Sequence, residues 1–145
     1  MEQSMESSVS ALNSFLRGEI SAVETYRQAL ERLDRAPFRT QLEQCMMSHE
    51  MRVNLLKNRI HSLGGEPEQE SGAWGTFAKL VEGGAKLLGD KAAVAALEEG
   101  EDHGRNDYRR DLEKLDTESR QLVESQVLPE QERTHDTLSL LKRSI

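Results

Sequence analysis

The chain has 145 residues, of which 36% are hydrophobic and only 4% aromatic, and it carries a formal charge of −7. That length allows one domain around one core, and the composition suits an all-α bundle built on Leu, Ala, Val and Met. The acidic balance argues against nucleic acid, whose phosphates need a basic face, and leaves a cationic metal or a basic partner open.

Cys45 stands alone, so neither a disulfide framework nor a CxxC site is expected. The Met1–Ser14 stretch lacks the basic start and apolar run of a signal peptide, and no stretch approaches the roughly 20 apolar residues of a membrane span. A reducing cytoplasm is the expected location.

Four long helices are legible, in one domain covering residues 1–145. The first runs from about Ser8 to Leu33, with Leu12, Leu16, Glu19, Val23, Tyr26, Leu30 and Leu33 spaced alternately three and four apart. After a tight connection, Pro37 suits the first turn of the second helix, which stops at Gly64-Gly65. Its expected inward stripe is Leu42, Met46, His49, Val53, Leu56, Ile60 and Leu63.

The stretch 64–89 is too long for a turn and reads as a crossover between helices two and three. Within it, the apolar piece Trp74–Leu88 reads as a strap lying against the bundle. The rival reading is an exposed patch for a homodimer, another protein or a membrane surface.

The third helix starts near Asp90, a good N-cap, and its stripe is Val94, Leu97, Glu101, Gly104, Tyr108, Leu112 and Leu115. The fourth begins near Asp116 and runs towards Lys142, with a kink or break expected at Pro129. Its expected stripe passes through Leu128, Glu132, His135 and Leu138.

The second half repeats the first. Residues 18–34 and 100–116, offset by 82, share eight of seventeen positions, including Gly18/Gly100, Glu19/Glu101 and Tyr26/Tyr108. Unrelated segments would share about one. A weaker echo pairs His49 with His135. Two duplicated helical hairpins are therefore expected, with their carboxylates and imidazoles about a shared axis.

Glu19 and Glu101 sit on apolar stripes, where a carboxylate is costly unless it is paired or binds a metal. Glu132 and His135 form a Glu-x-x-His pair on one helix face. A Glu from each of two helices plus Glu-x-x-His from each of the others is the pattern of dinuclear carboxylate centres, suited to iron or manganese. The expected ligands are thus Glu19, His49, Glu101, Glu132 and His135. The centre is incomplete, because Met46 stands where the remaining Glu is expected. Tyr26, Tyr108, Met46 and Glu50 are the expected neighbours of the ligands. The competing reading is a metal-free polar network. His61 is expected to be structural and His103 to face solvent.

The run from Leu16 to Tyr26, Ser48-His49-Glu50, Leu63-Gly64-Gly65-Glu66-Pro67 and Ser71-Gly72-Ala73-Trp74-Gly75 resemble the ferritin-like superfamily. Within it they resemble a bacterial family of four-helix-bundle proteins of unknown function, over nearly the whole chain. The Gly-Glu…Tyr pattern is similar to rubrerythrin-type helices, and the Leu-Gly-Gly-Glu-Pro ending resembles those of bacterioferritin-like bundles. For the superfamily, the resemblance implies a non-haem di-metal centre used in oxidation or peroxide reduction. For the narrower family it implies little, since no activity is established there and metal ligands are often incomplete. The expectations are a metal-binding oxidoreductase acting on iron or peroxide or, alternatively, a metal-free helical interaction or stress-response module with a vestigial site.

Overall fold

The computed structural model describes residues 5–33, 36–70 and 89–145. Among the described residues there is no strand, and four long rods form a helical bundle. Three rods are single helices: α1 (Met5–Arg32), α2 (Arg39–Ser62) and α3 (Asp90–Asp111), the last followed by a 3-10 turn (Leu112–Lys114). The fourth comprises α4 (Thr117–Leu122), a π-helical turn (Val123–Val127) and α5 (Leu128–Ser144). The Trp74–Leu88 strap and most of the 64–89 crossover lie outside the described residues.

The ends of the rods follow local chemistry. After α2, the Gly64 N–H bonds the carbonyl of His61 and the Gly65 N–H that of Ile60, with Gly64 at φ 79°. This pair of bonds satisfies carbonyls that the helix end would orphan, and it needs a left-handed residue that glycine supplies cheaply. At the start of α4 the Asp116 carboxylate accepts the Ser119 N–H. The Asp116 N–H donates to Ser8 Oγ at 2.6 Å, which ties the fourth rod to the start of α1.

Pro129 does not break the fourth rod, which stays helical through it. The π-turn directly precedes it. A π-turn carries one extra residue, and its wider backbone relieves the clash of a proline ring with the carbonyl four residues earlier.

The rods pair as α1 on α2 and α3 on α5, and the pairs meet chiefly through α1 and α3. Glu19 reaches Tyr108 while Tyr26 reaches Glu101, so α1 and α3 run antiparallel. After α2 the chain turns back along α1. The Glu66 carbonyl and Glu68 N–H both bond the Asn13 side chain, and Glu68 pairs with Arg17.

The apolar core is split in two. One cluster gathers around Tyr26, Leu30, Leu42, Val94, Leu97 and Leu138. The other gathers around Leu12, Leu16, Leu56, Ile60, Tyr108 and Val127. Between them lies a layer of buried polar and charged side chains.

The sequence stripes of α1 and α3 match the buried faces, apart from the half-buried Gly104 and Leu112. The other two rods match in part: Leu42, His49, Leu56 and Ile60 of α2 and Leu138 of the fourth rod are buried as expected. In α2, Cys45 and Arg52 are buried while Met46 and Val53 are only half-buried. In the fourth rod the buried positions are Ser119, Val123, Val127, Gln131, Thr134 and Leu138. Leu128 and His135 are half-buried and Glu132 is exposed. At Leu128, Glu132 and His135 the residue one position earlier faces inward instead, about 100° around the helix.

Two glycine substitutions test the packing. A Cβ added at Gly18 meets nothing within 4 Å, so Gly18→Ala is expected to stabilise the chain by about 0.5–1 kcal/mol through helix propensity. A Cβ at Gly65 would sit 2.8 Å from Val9 Cγ1, so Gly65→Ala is expected to destabilise by about 1–3 kcal/mol. Chemical denaturation of both variants measures the two signs.

Candidate functional site

The buried layer joins three rods through Glu19 of α1, His49 and Arg52 of α2, and Glu101 of α3. Thr134 and Gln131 of α5 complete it. His49 is the bridge: its Nδ1 bonds Glu19, and its Nε2 lies 2.7 Å from Glu101 Oε2. With a carboxylate on each ring nitrogen, only the doubly protonated imidazolium donates to both.

Arg52 is fully buried, at 0% exposure. Its Nη1 donates to Glu19 Oε2 at 3.4 Å, and its Nη2 donates to Ser48 Oγ at 3.1 Å and to Thr134 Oγ1 at 2.8 Å. The Thr134 hydroxyl passes this on, donating to Glu101 Oε1 at 2.8 Å. Gln131 Nε2 donates to the Glu101 backbone carbonyl at 3.2 Å.

The tyrosines act reciprocally. Tyr26 of α1 donates to Glu101 of α3 at 2.5 Å, and Tyr108 of α3 donates to Glu19 of α1 at 2.6 Å. Each carboxylate is therefore held by the tyrosine of the other copy of the sequence repeat.

The layer is charge-balanced, with two carboxylates against an imidazolium and a guanidinium. Burial by itself would raise the pKa of Glu19. Arg52 and His49, with the hydrogen bonds from His49 and Tyr108, outweigh that and bring it down to about 2. Burial opposes ionisation of Glu101 too, but His49 and Arg52 hold its pKa below the usual carboxylate value. For His49, burial and the neighbouring Arg52 cation favour the neutral form, yet Glu101 and Glu19 prevail and its pKa is raised. Burial, then the adjacent carboxylates, push both tyrosines well above their ordinary value.

The structure brings together three of the five expected ligands: Glu19, His49 and Glu101. His135 is drawn instead to Asp102, 2.5 Å from its Nε2, and to Arg105 at 3.2 Å. Glu132 is exposed. The Glu-x-x-His face thus points away from the layer, because Gln131 and Thr134 occupy the inward positions. Met46 is half-buried and packs against the Tyr26 cluster, and Glu50 is exposed. His61 is exposed rather than structural, and His103 pairs with Asp107 at 3.3 Å on a half-buried face. Met47, beside Met46, is 64% exposed.

The donor set does not fit a dinuclear metal centre. Both nitrogens of His49 are already engaged by carboxylates, and a permanently charged guanidinium lies against the same Glu19 that a cation would need. Among the described residues, no group of three or more His, Cys, Asp or Glu side chains is arranged to hold a metal ion.

Arg52, Ser48, Thr134 and Gln131 are the site residues that the sequence stripes miss. One available signal points to them. The repeat offset of 82, carried into α2 and α5, pairs Arg52 with Thr134 and Ser48 with Glu130, and both pairs are hydrogen-bonded. The same offset pairs His49 with Gln131, not with His135.

Removing Arg52 leaves a buried negative layer without its fixed cation. Arg52→Leu is expected to cost about 3–5 kcal/mol in urea denaturation. Tyr26→Phe and Tyr108→Phe each remove one hydrogen bond to an ionised carboxylate and are expected to cost about 1.5–3 kcal/mol apiece.

The pH dependence has two limbs. The contribution of Glu19 is present above its ordinary value of 4.5 and is lost as the pH falls towards about 2. That of His49 is fully present below its ordinary value of 6.5 and is lost as the pH rises through its higher folded pKa. The layer therefore contributes most between pH 4.5 and pH 6.5. Melting temperatures across pH are expected to fall on both sides of that window, and His49→Gln is expected to flatten the alkaline limb.

A family model described as "Domain of unknown function (DUF2383)" matches residues 7–114. No curated protein and no solved structure matches the chain. Among the described residues, no helix is long and apolar enough to cross a membrane.

Proposed function

The chain belongs to the DUF2383 family, and we propose that within it this protein is a metal-independent helical module in which Arg52 takes the place of a core cation. The observation that carries this reading is the fully buried guanidinium between Glu19, Ser48 and Thr134. Two buried carboxylates need positive charge, and Arg52 with His49 supplies it from the chain itself.

The resemblance to ferritin-like bundles belongs to the same reading. The reciprocal Glu–Tyr bonds and the offset of 82 between contacting residues support two duplicated hairpins. The antiparallel pairing of α1 with both α2 and α3 supports a long return of the chain between α2 and α3. In this reading a metal layer of that architecture has been replaced by an internal salt network.

The function then lies outside the core. The cavity at the layer measures about 20 Å³, which leaves no room for an organic substrate. Met47, Met51 and Leu140 expose apolar surface, as an interaction module requires. A soluble cytoplasmic role with a protein partner is the corresponding proposal.

Metal analysis tests the reading. Protein purified without chelator is expected to carry neither iron nor manganese, and saturating Fe²⁺ or Mn²⁺ is expected to leave its melting temperature unchanged. Arg52→Ser, which unbalances the layer by one negative charge, is expected to gain stabilisation from Mn²⁺. Stoichiometric metal in the parent chain would favour the di-metal oxidoreductase reading instead. An Arg52→Ser variant indifferent to Mn²⁺ would show that Arg52 is not standing in for a cation.

A further inference from the structure

The charged layer is not closed on every side. A cavity of about 20 Å³ adjoins it, lined by Glu19, His49, Arg52, Glu101, Tyr108 and Gln131. Gly18 and Gly104 line the same cavity from α1 and α3, and a Cβ added at either meets nothing within 4 Å.

Two residues of its lining each carry an orphaned polar atom. Arg52 Nε and Gln131 Oε1 are buried and make no hydrogen bond within the protein. Their residues are 0% and 2% exposed, so bulk solvent does not satisfy them. One is a donor and the other an acceptor. Leaving such groups unsatisfied is unfavourable, because each has given up its hydrogen bond to water and gained none.

We propose that this cavity is a one-water site, and that the water accepts from Arg52 Nε, donates to Gln131 Oε1, and exchanges with solvent past Gly18 and Gly104. Size, polarity and charge agree on this ligand. A water needs about 10–15 Å³ of such space, so the cavity takes one and not two. A single water both accepts and donates, as the two orphaned atoms require. The layer is already balanced by Glu19 and Glu101 against His49 and Arg52, so a neutral ligand is favoured over an ion of either sign. The missing side chains at Gly18 and Gly104 supply the opening. Water at this point gives the ring protons of His49 a path to solvent that the rest of the packed layer denies them.

The inference rests on hydrogen-bond geometry and not on the metal-independent reading. Metal analysis decides that reading, whereas solvent density at Arg52 Nε and Gln131 Oε1 decides this one. A crystal structure of the full chain that resolves ordered solvent is expected to show one water within hydrogen-bond distance of both atoms. No ordered solvent there, or Arg52 Nε bonded directly to Gln131 Oε1, would overturn the proposal.

Kinetics give a second reading on the same protein. Gly104→Val narrows the opening, and its Cβ meets no atom within 4 Å. It is expected to slow the exchange of the His49 ring N–H protons, followed by NMR, by about tenfold or more. An unchanged rate in the folded variant would remove the opening past Gly104 as the route. If that variant does not fold, the crystallographic water in the parent chain still decides the site.

Discussion

Two carboxylates, Glu19 and Glu101, lie at the centre of the bundle with 4% and 1% of their surface exposed, and the rest of the structure is arranged around keeping them ionised. An unpaired carboxylate in such a place would take up a proton. Here each is met by a side of the His49 ring, by a tyrosine hydroxyl, and by Arg52, directly at Glu19 and through Thr134 at Glu101. The balance is internal: two negative and two positive groups share one layer.

That layer also couples the rods. α1 and α3 each contribute a carboxylate and a tyrosine, α2 contributes both cations, and α5 contributes the hydroxyl and amide that tie them together. Apolar clusters on either side bury surface with little directional preference, so sliding one rod by a turn would cost them modestly. The same slide would separate Arg52 from Thr134 and Tyr108 from Glu19. The charged layer therefore constrains register more sharply than the apolar packing does. The buried Cys45, His49, Arg52 and Leu56 recur 82 residues on at Val127, Gln131, Thr134 and Leu138, but Phe38 and Leu42 recur only 81 residues on at Ser119 and Val123. The change falls at the π-turn, which takes up the extra residue.

The sequence was easiest to read where the repeat is strong. Glu19 and Glu101, Tyr26 and Tyr108, and the apolar stripes around them fall where the spacing puts them. The other two rods misled for physical reasons. An arginine in a helix normally reads as a solvated face, so Arg52 was invisible to a hydrophobicity stripe. Glutamine and threonine at Gln131 and Thr134 carry no charge signature, whereas Glu132 and His135 next to them imitate a metal motif. The echo from His49 to His135 has an offset of 86, one helical turn from the 82 of the stronger repeat. The offset taken from the stronger repeat would have led to Thr134 and Gln131. The Trp74–Leu88 stretch, read as a strap, lies outside the described residues.

The central claim is that the protein carries its own cations, which requires His49 to be an imidazolium while folded. Nitrogen-15 NMR of the His49 ring at pH 7 tests this directly, since the shifts of Nδ1 and Nε2 distinguish the doubly protonated ring from either neutral tautomer. The account expects both nitrogens protonated, because each faces a carboxylate that accepts from it, with both protons in strong hydrogen bonds. A neutral His49 ring in the folded chain at pH 7 would contradict it, because one of the two carboxylates would then face a lone pair instead of a proton.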